Sequence, residues 1–156
     1  MHGRAHAAVI EINNGVPSAV GAKIVYPKRP VVSFSGDGDF LMNGQELATA
    51  MQYNAKVIFI VVNNGMYGTI RMHQERHYPT RISGTMLKNP DFAALARAYG
   101  LHGEIVEATQ DFEAAFDRAW NAKTAALIEV RIDPDAISPR ASLSSIREEA
   151  LKAKKQ

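Results

Sequence analysis

The sequence predicts an α/β fold, a three-layer sandwich in which a mostly parallel sheet is covered by helices on both faces. From about Pro30 onward, short apolar runs rich in β-branched residues alternate with segments of helical period, which is the pattern of βα units. The unbroken apolar run at 57–62 is typical of a strand buried on both faces, so we expect it at the centre of the sheet. A length of 156 residues with 46% hydrophobic content is enough for one domain with a substantial core.

The boundaries of the individual elements follow from where the apolar runs begin and end. The predicted strands are residues 31–35, 57–62, 102–106 and 125–132. The predicted helices are residues 44–53, 90–99, 111–121 and 142–154. In the second of these helices, Asn89 is expected to be the cap, Pro90 to occupy the first turn and Gly100 to end the helix.

The two ends of the chain differ from this pattern. Residues 1–14 contain His2 and His6 but show no clear periodicity, so we interpret them as a leader or arm of doubtful structure. The main domain is predicted at 15–132. Residues 133–156 form an expected C-terminal extension, whose narrow apolar stripe and final lysines are typical of a surface helix.

The composition excludes several classes of function. Eighteen Lys and Arg against 16 Asp and Glu give a formal charge of +2, which is too balanced for a nucleic-acid or anionic-membrane partner. The absence of cysteine excludes disulfides and thiolate sites and fits a reducing compartment, so a cytoplasmic location is expected. The longest apolar run is far below the roughly 20 residues of a membrane helix, and residues 1–8 lack the apolar region of a signal peptide. We therefore expect a soluble protein whose partners are small molecules or proteins.

The polar segment after the first predicted strand indicates a ligand-binding site. Gly36, Asp37 and Gly38 follow that strand directly, and open α/β sheets bind ligands at the carboxyl ends of their strands. Glycines at these two positions let the backbone turn sharply and approach a phosphate, which amide groups and a helix N-terminus can bind. The aspartate between these glycines would repel a phosphate unless a hard cation lies between the carboxylate and the phosphate. Asp37 therefore predicts magnesium bound to phosphate oxygens.

A second ligand for this cation is predicted where the next strand ends. The 24 residues between the two motifs are enough for a crossover helix and a strand that return the chain to the same edge of the sheet. Asn63 and Asn64 would then lie beside Asp37. An asparagine side-chain oxygen and a backbone carbonyl in the turn of Gly65 and Met66 would complete the protein's share of an octahedral site.

The two motifs belong to a longer pattern. The enzymes that use thiamine diphosphate, also called thiamine pyrophosphate (TPP), carry a signature from GDG to NN, and this chain resembles it over GDGDFLMNGQELATAMQYNAKVIFIVVNNGMYG. The TIRMHQE that follows resembles the acetolactate synthase branch of that family. The resemblance covers about residues 15–132 and implies a TPP-binding fold that holds TPP and magnesium. It also implies decarboxylation or carboligation of 2-oxo acids.

The resemblance assigns roles position by position. It implies that the Asp37 carboxylate, the Asn64 side chain and the Met66 carbonyl bind the magnesium ion. A second set is implied to contact or support the cofactor: Gly36, Gly38, Asp39, Asn63, Met66, Tyr67 and Gly68. A small hydroxyl residue is common in the family where Asp39 stands, and Asn63 is expected to support the turn.

Other interpretations of the motifs stay open. A Gly-Asp-Gly triplet alone also occurs in ordinary turns. Gly36 and Gly38 begin a dinucleotide-binding pattern, but Leu41 stands where its third glycine belongs, and the lysine and hydroxyl of a nucleotide-triphosphate loop are absent. His73 and His77 have the spacing of a zinc pair on a helix, although a solvated or substrate-facing pair is favoured because no third ligand is evident.

No catalytic residue is predicted in this chain. In the family that it resembles, a glutamate on a separate pyrimidine-binding domain, normally from a second subunit, activates the cofactor. We therefore expect the chain alone to bind the cofactor without turnover, and the enzyme to be a homo-oligomer. Two alternatives are the small subunit of a split TPP decarboxylase and a non-enzymatic interaction module that kept the fold.

Arg71, Gln74 and Glu75 are expected to be structural or to lie at the edge of the substrate site.

Overall fold

The computed structural model describes residues 7–10 and 14–154. Its strands, in chain order, are β1 Ala7–Ile10, β2 Val31–Gly36, β3 Val57–Asn63, β4 His102–Val106, β5 Ala126–Arg131, β6 Ala136–Ser138 and β7 Ala141–Ser142. Its helices are α1 Gly15–Val25, α2 Asp37–Asn43, α3 Leu47–Gln52, α4 Gly68–His77, α5 Phe92–Ala98, α6 Phe112–Asn121 and α7 Leu143–Ala153. Short 3-10 turns, Gly44–Glu46 and Thr109–Asp111, precede α3 and α6.

The chain divides into two compact units. The first comprises Met1–Asn63 and Pro90–Arg131, and the second comprises Asn64–Asn89 and Ile132–Gln156. The two units therefore interleave along the chain. One passage between them falls within the Asn63-Asn64 pair.

The first unit is built around a five-stranded parallel sheet in the order β1-β2-β3-β5-β4. β3 is the central strand, as its unbroken apolar run predicted, and its first five residues are buried. A strand at the centre of a covered sheet has both faces in the core, so an alternation of polar and apolar residues is not needed.

Two core clusters contain alternate residues of β3. Val57, Phe59 and Val61 pack on one face with residues of α1, α2, α3 and α5. Ile58 and Ile60 pack on the opposite face with residues of α6. Since successive side chains of a strand point to opposite faces, the sheet has helices on both sides. This confirms the predicted α/β fold with three layers.

A strand and a helix that the sequence analysis did not predict precede β2. β1 pairs in parallel with β2, so part of the segment interpreted as a leader is an edge strand of the sheet. His2 and His6 lie outside the described residues. α1 buries Val16, Ala19 and Val20, and this spacing places the three side chains on one face of a helix. Packing of that face on the sheet outweighs the poor helix propensity of the glycines in α1.

The start of α5 differs from its prediction. Asp91, and not Asn89, is the cap, because the Asp91 side chain accepts a hydrogen bond from the backbone N–H of Ala94 at 2.7 Å. Pro90 therefore precedes the cap and is not in the first turn. Gly100 follows the helix with a φ of 90°, a left-handed conformation that favours glycine, and it ends the helix as predicted.

The second unit contains α4, α7 and the small antiparallel pair of β6 and β7. α7 begins with a capping box, in which Ser142 Oγ accepts from the N–H of Ser145 and Ser145 Oγ accepts from the N–H of Ser142. α7 packs against α4, and Leu143 and Ile146 are its buried residues. The predicted helix at 142–154 is thereby confirmed. Within the described part of the chain, no helix combines the length and the apolar character needed to cross a membrane.

Candidate functional site

β2 and β3 end side by side at one edge of the sheet of the first unit. Gly36 pairs with Val62, so Asp37 and Asn63 follow at the same level on two adjacent strands. The length of the crossover predicted this return to the same edge, and the strand register confirms it. In parallel α/β sheets the carboxyl edge is where ligands bind.

Asp37 is a buried carboxylate at the first residue of α2. It is 2% exposed, and the backbone N–H of Gly38 donates to its Oδ1 at 2.9 Å. Gly36 has φ −70° and ψ 160°, so the chain passes from strand to helix without the special turn that the glycines suggested. No described atom lies within 4 Å of the position that a Cβ would take at Gly36. Glycine here leaves the backbone open to approach and does not bend it.

A buried hydroxyl lies at the same end of β2. Ser35 is 6% exposed, and its Oγ has no hydrogen-bond partner in the described part of the chain. A Cβ at Gly15, the first residue of α1, would lie 2.9 Å from this Oγ and 3.8 Å from Asp39 Oδ2. By contrast, Ser33 Oγ donates to the Gly15 carbonyl at 3.2 Å. The absence of a side chain at Gly15 therefore makes room for the polar groups at this end of the strand.

Glu129 is a functional candidate that the sequence analysis missed, because it treated this residue only as part of a strand. It is 0% exposed. Its Oε1 accepts from Asn63 Nδ2 and from Arg131 Nε, both at 2.9 Å, and its Oε2 accepts from the N–H of Phe92 at 2.9 Å. The available signal was one charged residue inside the apolar run 126–130.

In the second unit, Asn64 begins a tight turn. Its Oδ1 accepts from the N–H of Met66 at 3.2 Å, and Gly65 has a φ of 71°, which favours glycine. A Cβ at Gly68 would lie 2.8 Å from Asn64 Nδ2 and 3.1 Å from Ile137 Cδ1. Gly68, which the resemblance placed beside the diphosphate, therefore makes room for the Asn64 side chain.

The backbone around Met66 is held by its neighbours. The N–H of Leu87 donates to the Gly65 carbonyl at 2.8 Å, and the N–H of Tyr67 donates to the Thr85 carbonyl at 2.9 Å. Met66 itself is 5% exposed and stands opposite Met86 in an isolated antiparallel bridge. These two hydrogen bonds fix the backbone on both sides of Met66 without using its carbonyl.

Arg71, Gln74 and Glu75 of α4 have structural partners. Glu75 is 1% exposed and accepts hydrogen bonds from the guanidinium groups of Arg71 and Arg147. The hydrogen bonds from Arg147, followed by those from Arg71, lower the pKa of Glu75 to about 2 against the opposing effect of burial. Gln74 donates to the Ser83 carbonyl and accepts from the Ser83 N–H. Of the two roles expected for these residues, their contacts favour the structural one.

The histidine pair of α4 is exposed. The rings of His73 and His77 are stacked, with centroids 6.3 Å apart and an angle of 6° between their planes. Across residues 7–10 and 14–154, no group of three or more His, Cys, Asp or Glu side chains could hold a metal ion. The pair therefore gains no third ligand of these types from the described residues.

A sequence profile of the family described as "Thiamine pyrophosphate enzyme, C-terminal TPP binding domain" matches residues 5–130. The chain belongs to this TPP enzyme family. The match includes both motifs, β1 and all the strands of the sheet nearly to the end of β5. TPP, the cofactor predicted from the sequence, is the cofactor that this family binds.

The matched domain is similar to acetolactate synthases. It is 39% identical over 120 residues to the acetolactate synthase isozyme 2 large subunit of Escherichia coli (strain K12), covering 76% of this chain and 22% of that protein. It is 34% identical over 137 residues to the probable acetolactate synthase large subunit of Methanococcus aeolicus, covering 85% of this chain and 23% of that protein. The acetolactate synthase-like branch predicted from TIRMHQE is thereby confirmed.

A solved structure shares the fold. The thiamine diphosphate-dependent 4-hydroxybenzoylformate decarboxylase of Rhodococcus jostii RHA1 superposes with a TM-score of 0.74 at 36% identity, covering 81% of this chain and 24% of that chain. The chain thus spans about a quarter or less of the length of the relatives that it matches. Most of each of these TPP enzymes lies outside the matched part.

Proposed function

We propose that this chain is the diphosphate- and magnesium-binding part of an acetolactate-synthase-like TPP enzyme that decarboxylates or joins 2-oxo acids. The observation that carries the proposal is the Asp37 carboxylate, 2% exposed and level with the end of β3. A carboxylate removed from water is favoured by a cation close by. This one stands within the GDG-to-NN signature of the family.

The proposed magnesium ligands are the Asp37 carboxylate, the Asn64 side-chain oxygen and the Met66 carbonyl. All three are hard oxygen donors, which magnesium prefers, and phosphate oxygens and water can complete an octahedron. An amide oxygen has two lone pairs, so Asn64 Oδ1 can accept from Met66 and still bind a metal. The support for placing Asp37 and Asn64 on one ion is the sequence signature and the covalent link from Asn63 to Asn64.

The groups proposed to contact or support the diphosphate come from both motifs: Gly36, Gly38, Asp39, Asn63, Met66, Tyr67 and Gly68. The open backbone at Gly36 and the buried Ser35 hydroxyl, which has no hydrogen-bond partner among the described residues, support an approach of polar groups at the end of β2. The Asp39 carboxylate would repel a phosphate unless magnesium neutralises the charge there. When bound, TPP supplies an electron sink for breaking the bond next to the 2-oxo group.

A pyrimidine-binding domain, on the same enzyme or on another subunit, is the proposed partner. The resemblance places the activating glutamate on such a domain, and the relatives are about four times as long as the part that the chain matches. We expect no 2-oxo acid turnover by the purified chain, and turnover after addition of a pyrimidine-binding domain from an acetolactate-synthase-like enzyme. Robust turnover by the chain alone would contradict the need for this partner.

Cofactor binding itself is tested by calorimetric titration of TPP into the chain in the presence of magnesium. We expect binding by the wild-type chain, loss of binding in Asp37→Asn, and wild-type binding in Asp117→Asn, which changes an exposed carboxylate of α6 in the same way. If the wild-type chain binds no TPP either alone or with a pyrimidine-binding domain, the result would favour an interaction module that has kept the fold.

A further inference from the structure

The buried carboxylate of Glu129 is costly where it stands. The side chain is 0% exposed, in a strand next to the centre of the sheet, and its neighbours Leu127 and Ile128 are apolar and fully buried. Removing a carboxylate from water is unfavourable unless an opposite charge and hydrogen bonds compensate. An apolar side chain of similar volume would serve packing at least as well. The charge therefore indicates a role beyond packing.

Donors from three segments meet at this carboxylate. They are the Asn63 side-chain amide, the Arg131 guanidinium and the N–H of Phe92, each 2.9 Å from a carboxylate oxygen. In the strand register Val61 stands opposite Glu129 and Asn63 opposite Arg131, so Glu129 reaches Asn63 diagonally across the strand pair. One carboxylate thus joins the ends of β3 and β5 to the first turn of α5.

The hydrogen bond from Asn63 fixes the orientation of that amide. An ionised carboxylate only accepts hydrogen bonds, so the NH2 group of Asn63 must face Glu129. Asn63 is the last residue of β3, and the next residue is Asn64. Arg131, which also pairs with Glu107 at 2.7 Å, balances the negative charge of Glu129. These bonds orient the Asn63 side chain at the end of β3, where the strand also pairs with β5 at Arg131.

We infer that Glu129 is a positioning residue of the cofactor site. By holding the Asn63 side chain it orders the end of β3, and Asn64, the proposed magnesium ligand, is the next residue of the chain. Groups bonded to a metal ligand orient it without touching the metal, and Glu129 acts one step further out, through the residue before Asn64. The inference rests on the proposed function, because the positioning matters only if magnesium binds at Asn64.

Calorimetric titration of magnesium into the chain with TPP tests this inference in Glu129→Gln, Asn63→Ala and the double variant. Glutamine keeps the shape of Glu129 but presents an NH2 group to one of the donors. We expect the half-saturating magnesium concentration to rise roughly tenfold or more in each single variant. In the Asn63→Ala background, Glu129→Gln should add less than about twofold, because in this inference Glu129 acts on the magnesium site through Asn63.

Ile128→Val is the control for a purely structural effect. Ile128 is buried next to Glu129 and belongs to the core on the α6 side of the sheet. The variant should lower the thermal midpoint and leave the magnesium titration unchanged. Wild-type magnesium affinity in Glu129→Gln, or independent effects of the two changes, would overturn the inference. If Glu129→Gln does not fold, wild-type magnesium affinity in Asn63→Ala overturns it.

Failure of the proposed function would be recognised separately, because the wild-type chain would then bind neither magnesium nor TPP. In that case nuclear magnetic resonance of the cofactor-free chain decides whether Glu129 holds Asn63. We expect the side-chain amide signals of Asn63 to shift and to exchange faster with solvent in Glu129→Gln. Unchanged signals and exchange rates would overturn the inference.

Discussion

Arg147 forms a two-point ion pair with Glu75. The Arg147 Nε donates to Glu75 Oε2 and the Arg147 Nη2 donates to Glu75 Oε1, both at 2.8 Å. Arg71 also donates to Glu75 Oε1, through its Nε and Nη2. The pair joins α7 to α4 within the second unit. A two-point guanidinium–carboxylate pair also fixes the relative orientation of the two side chains. The C-terminal helix is therefore attached to α4 by a buried charge as well as by apolar contacts.

This ion pair predicts a loss of stability in acid. The pKa of Glu75 is lowered from 4.5 to about 2, so its contribution is complete above about pH 4.5 and is lost as the pH falls through about 2. The shift corresponds to about 3 kcal/mol. The free energy of unfolding of each protein is measured by urea denaturation at about pH 6 and about pH 2. The decrease between these two pH values should be about 3 kcal/mol smaller in Glu75→Gln than in the wild type. Glu149→Gln, an exposed change in α7, should lose as much unfolding free energy in acid as the wild type does. An equal loss in Glu75→Gln and in the wild type would contradict the prediction.

The packing of α5 on β4 predicts a strong effect at Gly103. A Cβ there would lie 2.3 Å from the backbone carbonyl oxygen of Ala93, which cannot move aside as a flexible side chain could. Gly103→Ala should lower the free energy of unfolding by about 2 to 3 kcal/mol. Gly21→Ala is the matched control, because, apart from its chain neighbours and the nearby backbone of α1, no described atom lies within 4 Å of its Cβ position, and it should raise stability by about 0.5 to 1 kcal/mol. Similar losses in both variants would contradict this account.

A different outcome is expected at Gly68. A Cβ there meets the Asn64 side chain and Ile137 Cδ1, and both can move, so the free energy of unfolding should change by less than about 1 kcal/mol. Displacing Asn64 should raise the magnesium concentration needed for half-saturation about tenfold or more in the presence of TPP. Thr69→Ala, an exposed change in the same turn of α4, should leave the titration unchanged. Wild-type magnesium affinity in Gly68→Ala would argue against Asn64 as a ligand.

The two serines of β2 give a fourth prediction, for the chain without cofactor. Ser33 Oγ donates to the Gly15 carbonyl at 3.2 Å, whereas Ser35 Oγ is buried without a partner among the described residues. Ser33→Ala should lower the free energy of unfolding by about 1 kcal/mol. Ser35→Ala should leave the free energy of unfolding unchanged or raise it slightly. Chemical denaturation of both variants makes the comparison. An equal loss in Ser35→Ala would mean that its hydroxyl has a partner.

Four of the five strands of the sheet, β2 to β5, could be predicted from sequence because their apolar runs are local, whereas β1 was interpreted as part of a leader. β3 is apolar at every position that the two cores require, and β4 begins and ends at the predicted residues. α1 could not be predicted in the same way, since Gly15, Pro17 and Gly21 hide its apolar face and its stability comes from packing on the sheet. The cap of α5 was misplaced because Asn89 and Asp91 are both good caps, and only the backbone geometry selects between them.

The candidate site shows the same division. Asp37 and the Asn63-Asn64 pair could be found because residue type, spacing and strand ends act together in the sequence. The link from Glu129 to Asn63 and to the start of α5 could not be predicted, because these hydrogen bonds join residues that are 66 and 37 positions apart in the chain. The role of Gly68 depends on the Asn64 side chain that lies against it, which no sequence pattern states.

The most direct test of the magnesium site uses manganese as a paramagnetic substitute, because manganese accepts the same oxygen ligands. Manganese is titrated into the isotopically labelled chain in the presence of TPP, and the backbone amide signals are followed by nuclear magnetic resonance. The account predicts that the signals of Asp37, Gly38, Asn64 and Met66 broaden first and that excess magnesium reverses the effect. Broadening that begins at His73 and His77, or that leaves Asp37 and Asn64 unchanged, would contradict it.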